Sequence, residues 1–190
     1  MSEPITGTNR AFFEKCIAYA RRFMLLPQTV ELYYDDCPSP RFPCAHNAAE
    51  SAGNKIWFNK QWVYERIGPH REDVAFYLFH ELRHLYQQAA IGLWQVKKEL
   101  REPLMVLRAW RNDFTNYVRN VDAATQEQNL RQDIERDANA YALILTILYF
   151  NKPNGVRLSL PTPALEQADK DMIPYLRDRD EFKPYVQPKP

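Results

Sequence analysis

The sequence predicts an α+β fold, mostly helical with a small antiparallel sheet. Three long segments, residues 8–26, 71–91 and 126–150, space their apolar side chains as helices do. The β-prone runs are short and confined to residues 30–58. With 45% hydrophobic and 26% charged residues, and 4 Trp, 11 Tyr and 10 Phe, the composition is that of a soluble domain with a bulky core. Residues 1–150 read as one domain and 151–190 as a Pro-rich C-terminal arm.

In chain order, Phe13, Cys16, Ile17, Ala20 and Phe23 give the first helix a broad apolar side, and Pro27 stops it. Val30 to Tyr34 is a β-prone run. Residues 35–43 hold three prolines and read as a loop. A second short strand is expected within 45–51, and Gly53-Asn54 then turns the chain into Lys55-Ile56-Trp57-Phe58. After Pro69 the segment 71–91 is apolar nearly all round, which predicts a buried helix, with Glu72 and Asp73 suited to its positive end and Gly92 as its C-cap. Residues 93–121 hold one or two further helices, Pro103 marking a start. Ile134, Ala138, Tyr141, Leu145 and Leu148 form the inward stripe of the last long helix. Seven of the 14 prolines fall in the last 40 residues. There Thr162-Pro163 can cap a short helix through Ala168, the remainder being an extended arm that wraps the domain or a partly disordered tail.

Charge narrows the function classes. Lys and Arg number 25 against 24 Asp and Glu, a net charge of +1, so no basic field argues for nucleic acid. The first ten residues lack the apolar core of a signal peptide, and the most apolar stretch, 138–150, is too short to span a bilayer. Cys16, Cys37 and Cys44, an odd number, read as reduced thiols, so a cytoplasmic protein with no membrane partner is expected. Cys37, Cys44 and His46 do not have the spacing of a zinc knuckle and are taken as ordinary side chains, as is His70 beside Pro69.

The chemistry lies in His80-Glu81-Leu82-Arg83-His84. On a helix, four residues advance the chain by about 400°, so the two imidazoles share a face one turn apart. Both can then meet one cation at about 2.0–2.1 Å, which predicts Zn2+ as cofactor. Glu81 sits beside such an ion, placed to take a proton from its water. A catalytic zinc has a third protein ligand. No histidine follows His84, and positions 87 and 90 are Gln and Ala, so a carboxylate must serve. Glu135, in Glu135-Arg136-Asp137-Ala138-Asn139-Ala140-Tyr141-Ala142, is the best candidate. Asn139 shares its helix face and can hydrogen-bond the far nitrogen of a ligand histidine, whereas Asp137 points about 200° away. Small Ala138 and Ala142 permit close helix approach.

These two motifs together resemble the gluzincin class, and most the ImmA/IrrE-type metallopeptidases. The resemblance spans roughly residues 55–149. It implies a zincin-like domain in which His80, His84 and Glu135 are the zinc ligands and Glu81 is the base. It also implies peptide-bond hydrolysis on a protein or peptide substrate. Tyr141, Tyr149 and Tyr86 are candidate donors to the tetrahedral oxyanion, and the strand at 55–58 could pair with an extended peptide. This chain departs from the pattern in three ways. Arg83 is charged where an uncharged residue is usual, so it must reach solvent or a carboxylate. The interval from His84 to Glu135 is long, and no helix-turn-helix pattern is present. The competing reading of the pair is two histidines packed in a helical core. The competing function is a non-catalytic zincin-fold module that binds a protein through its cleft or its proline-rich arm.

Overall fold

The computed structural model describes residues 2–45, 47–119, 122–152, 155–159 and 162–182. Among these the chain is α+β, with seven helices and one four-stranded sheet. No helix among the described residues is long and apolar enough to cross a membrane.

Strand β1 (Glu3–Pro4) leads into helix α1 (Gly7–Ala20), which buries Phe13, Cys16, Ile17 and Ala20. This helix ends six residues before the expected 26. A tight turn closes it, with the Phe23 amide on the Ala20 carbonyl at 2.9 Å. Arg21 then holds the following bend through the Pro27 and Gln28 carbonyls at 2.6 and 2.9 Å. Strand β2 (Glu31–Asp35) follows, then β3 (Ala49–Ala52) and β4 (Lys55–Asn59). Gly53, with φ +63°, makes the β3–β4 hairpin turn that favours glycine.

The sheet order is β1-β2-β4-β3, and β2 and β4 run parallel. The expected all-antiparallel sheet is therefore mixed. The hairpin is antiparallel as read, but residues 36–48 carry the chain past β2 so that β4, not β3, lies against it. Consequently β4 is an inner strand, both its neighbours taken, and β3 is a free edge.

Helix α2 (Lys60–Arg66), not expected from the sequence, starts where the Asn59 side chain accepts the Trp62 amide at 3.2 Å. Helix α3 (Arg71–Gln95) is the axle of the domain and buries nearly every residue from Asp73 to Gln87. It passes through Gly92 and closes only at Val96, so the predicted glycine cap is an ordinary helical position.

Helix α4 (Leu104–Thr115) starts after Pro103. The predicted helix 126–150 is two, α5 (Ala123–Arg131) and α6 (Asp133–Tyr149). They break at Gln132, whose backbone is extended and whose side chain holds the Val118 amide at 2.9 Å. Helix α7 (Thr162–Asp178) is far longer than the expected turn ending at 168. Leu165, Ala168, Met172, Tyr175 and Leu176 keep helical spacing and pack on the core, and the helix tolerates Pro174. Beyond it Phe182 is fully buried, stacked on Phe23 with ring centres 5.5 Å apart. The expected arm thus contains a helix docked on the core over 162–178, and the chain stays packed as far as Phe182; residues 183–190 lie outside the described residues.

The close α3–α6 pairing decides the site. Ala138, Ala140 and Ala142 are buried on α6 and present no bulk to hold α3 away.

Candidate metal centre

Helices α3 and α6 bring His80, His84 and Glu135 together, all three buried. The two ring Nε2 atoms are 2.9 Å apart. Glu135 Oε2 lies 3.4 Å from His80 Nε2, and Oε1 lies 3.5 Å from His84 Nε2. Ligand atoms at about 2.0–2.1 Å around a tetrahedral ion stand about 3.3 Å from one another, so the trio has the spacing to hold one. Among the described residues no other group of His, Cys, Asp and Glu side chains has such spacing.

Each ring is oriented from behind by a side-chain amide. Asn139 Oδ1 lies 3.0 Å from His80 Nδ1, and Gln87 Oε1 lies 2.8 Å from His84 Nδ1. Those oxygens are acceptors, so each ring, when neutral, carries its proton at Nδ1 and turns the Nε2 lone pair forward. Asn139 stands as the spacing anticipated. Gln87 was read only as the absence of a third histidine, although its i+3 relation to His84 was visible.

The electrostatics suit a cation. Burial opposes the charge of Glu135, but the rings of His84 and His80 outweigh it and hold the carboxyl well below its usual range. Burial likewise opposes protonation of His84, yet Glu135, with Glu81 and Gln87 adding to it, raises the ring to about 9.

The trio floors a cleft of about 790 Å³. Glu81 and Tyr77 line the same cleft, and Ala49, Glu50 and Ser51 of the edge strand form one wall. Glu81 is buried and immediately follows His80 in the chain. The edge beside the centre is therefore β3, not the 55–58 strand that the sequence suggested for peptide pairing.

None of the three tyrosines offered as candidate oxyanion donors lines the cleft at the centre. Tyr141 lies six residues after Glu135, about 240° around the helix. Its hydroxyl donates to the Phe23 carbonyl at 3.0 Å, on the far side of α6. Tyr86 donates to Glu102 at 2.8 Å, and Tyr149 lies by Cys16. The tyrosine at the centre is Tyr117, in the link between α4 and α5, whose hydroxyl donates to Glu135 Oε1 at 2.8 Å. The residue as a whole is 48% exposed, while its hydroxyl points inward to Glu135. Burial and the neighbouring carboxylate raise its pKa, so the proton stays on. No local pattern marked it, because its position depends on a loop.

That loop is anchored at both walls. Val118 is held by Gln132 and by Asn129, whose amide donates to the Val118 carbonyl at 3.0 Å. Arg119 crosses to the opposite wall, where it donates to the Arg41 carbonyl at 2.8 Å and to Glu50.

Of the two outlets open to Arg83, solvent or a carboxylate, the structure shows the carboxylate. Fully buried, it donates Nε and Nη2 to Asp137 at 2.7 and 3.0 Å. The Tyr141 ring lies 3.9 Å from its guanidinium carbon and the Tyr86 ring 4.4 Å. Asp137 is thus no ligand, as its angle on the helix required. Cys16, Cys37 and Cys44 form no disulfide among the described residues, and Cys44 donates its thiol to Asn47 Oδ1 at 2.5 Å; His46 lies outside the described residues. No family model matches the chain, and neither does any curated protein or solved structure.

Proposed function

We propose that this chain is a zinc-dependent peptidase of the ImmA/IrrE-like gluzincin type, acting in the cytoplasm on a protein or peptide substrate. The observation that carries the reading is the pair of amide-fixed imidazoles whose Nε2 atoms converge with Glu135 on the floor of an open cleft. A bound zinc ion would supply a Lewis acid and lower the pKa of a coordinated water to about 7. His80, His84 and Glu135 hold that ion. Glu81, lining the same cleft, takes the proton of the attacking water and passes it to the leaving amine. Tyr117 keeps its proton and stands over Glu135, within reach of an oxyanion forming beside the trio. The free edge of β3 offers backbone groups to an extended peptide lying along the cleft wall.

The reading is tested by metal analysis and proteolysis together. The purified chain is expected to carry one zinc per molecule and His84→Ala none. Glu81→Gln is expected to keep the metal while losing cleavage of unfolded protein substrates. A chain that takes up no zinc sinks the metal reading. A Glu81→Gln form that cleaves as well as the parent, or a metal-loaded parent that cleaves nothing and only binds its partner, leaves the protein-binding module as the better account.

A further inference from the structure

Behind the centre lies a buried charge network that the proposed reaction does not use. Asp137 accepts four hydrogen bonds: from Arg83 Nε and Nη2, from Gln87 Nε2 at 2.7 Å, and from the hydroxyl of Tyr175 on α7. Gln87 Nε2 also donates to the Ile134 carbonyl at 3.0 Å. Both its N–H groups are therefore engaged, and the amide can turn only its oxygen towards His84 Nδ1. The orientation of one ligand ring is thus set by Asp137, and Asp137 is set in part by α7. A second tie runs parallel to it. Arg179, one residue past the end of α7, donates to Glu102 at 2.9 and 2.5 Å, and Glu102 Oε1 lies 3.6 Å from Arg83 Nη2. His80 is oriented differently, by Asn139, and does not share this route.

We infer that Tyr175 is a positioning residue for the metal centre, acting through Asp137 and Gln87 on the ring of His84, so that the C-terminal helix sets the affinity of the site. The inference rests on the reading of His80, His84 and Glu135 as metal ligands. Losing the Tyr175 hydroxyl removes one of four donors from Asp137. The carboxylate then shifts towards Arg83, and the Gln87 amide is left with the Ile134 carbonyl as the firmer of the two anchors that keep its oxygen on Nδ1. The His84 ring is left free to rotate or to change tautomer, which costs affinity before it costs fold.

The test uses the full chain and zinc, with competition against a chromophoric chelator to obtain the dissociation constant. Gln87→Met is expected to weaken zinc binding about 10- to 100-fold, the usual effect of losing a partner of a ligand histidine. Tyr175→Phe keeps the ring and is expected to weaken it several-fold, with a shift in the visible bands of the cobalt-substituted protein. The decisive arm is the double variant, expected to bind no more weakly than Gln87→Met alone. Tyr175→Phe combined with Asn139→Ala should instead show multiplied losses, since those two act on different rings.

An unchanged zinc affinity in Tyr175→Phe, or multiplied losses in the Gln87 double variant, would overturn the inference. Should Gln87→Met fail to fold, histidine 15N shifts of metal-free Tyr175→Phe, recorded at alkaline pH where the His84 ring is neutral, decide instead. Nε2–H tautomer gained at His84 and not at His80 supports the coupling; equal change at both rings, or at neither, refutes it. A parent chain that binds no zinc yet shows the His84-specific tautomer change would fail the metal reading while leaving the coupling standing.

Discussion

Arg83 donates two hydrogen bonds to Asp137, at 2.7 and 3.0 Å, in a place where neither side chain meets bulk water. Burial disfavours the charge on Asp137, but Arg83, Tyr175 and Gln87 outweigh it and lower the carboxyl below its ordinary range. Removing one partner strands the other charge. Arg83→Met is expected to cost about 3–5 kcal/mol of stability in urea unfolding. Replacing both, as Arg83→Met with Asp137→Leu, should cost clearly less than the sum of the single losses. Additive losses would mean that the two charges do not depend on each other.

Stability should answer to zinc. A ligand at one hundred times its dissociation constant adds about 2.7 kcal/mol to the folded state. Zinc should therefore raise the melting temperature of the parent and leave that of Glu135→Gln unmoved. Treatment with a chelator should remove the gain without unfolding the chain, because α3 and α6 meet through a hydrophobic core that needs no ion. Loss of far-ultraviolet dichroism on chelation would show that the metal is structural.

Tyr117 should matter to rate and little to metal content. Tyr117→Phe removes the hydroxyl 2.8 Å from Glu135 and leaves the ring of this half-exposed residue. Peptide hydrolysis is expected to fall on the order of 10²- to 10³-fold in kcat, as when an oxyanion donor is lost, with zinc still bound. An unchanged kcat would return the residue to a purely structural part.

Cys16 gives a pH dependence away from the centre. Burial pushes its thiol up to about 12, against a partial opposing effect of Tyr149. The unfolded thiol ionises near 8.5. Because the folded value is the higher, the neutral thiol favours the fold fully below about pH 8.5, and that contribution is lost as pH rises towards 12. Native protein at pH 9 should be alkylated at Cys37 and Cys44 and spared at Cys16. Cys16→Ala should flatten the fall in stability between pH 8.5 and 11. Rapid native labelling of Cys16 would contradict its burial.

Phe182 fastens the end of the described chain. It is fully buried, 5.5 Å from Phe23 and 5.1 Å from Tyr141 between ring centres. Phe182→Ala is expected to cost about 3–5 kcal/mol. A loss below about 1 kcal/mol would place this segment outside the cooperative core.

The parts of this molecule written in local spacing were readable. His80, His84, Glu135 and Asn139 could be found because each pair lies one helical turn apart, and the apolar periodicity of α3 and α6 said which faces would meet. Arg83 announced its own need for solvent or a carboxylate. What escaped depends on distant chain. The parallel β2–β4 pairing is set by a long connection without a signature. Helix α2 is too short for periodicity to speak. Gln132 ended a helix by bonding to Val118, fourteen positions earlier. Tyr117 reached the centre because a loop carried it there, while Tyr141, better placed by sequence, was turned away by the angle of its own helix.

The sheet's two outer strands have a further consequence. One has two residues and the other four, and the longer is recessed in a cleft with Glu50 clamped by Arg41 and Arg119. Long, flat, uncovered borders are where β-proteins recruit copies of themselves. Here the two-residue β1 offers little to pair with, and β3 carries the Arg41–Glu50–Arg119 charges on its exposed side of the cleft, the kind of short or charged border that discourages sheet-to-sheet association.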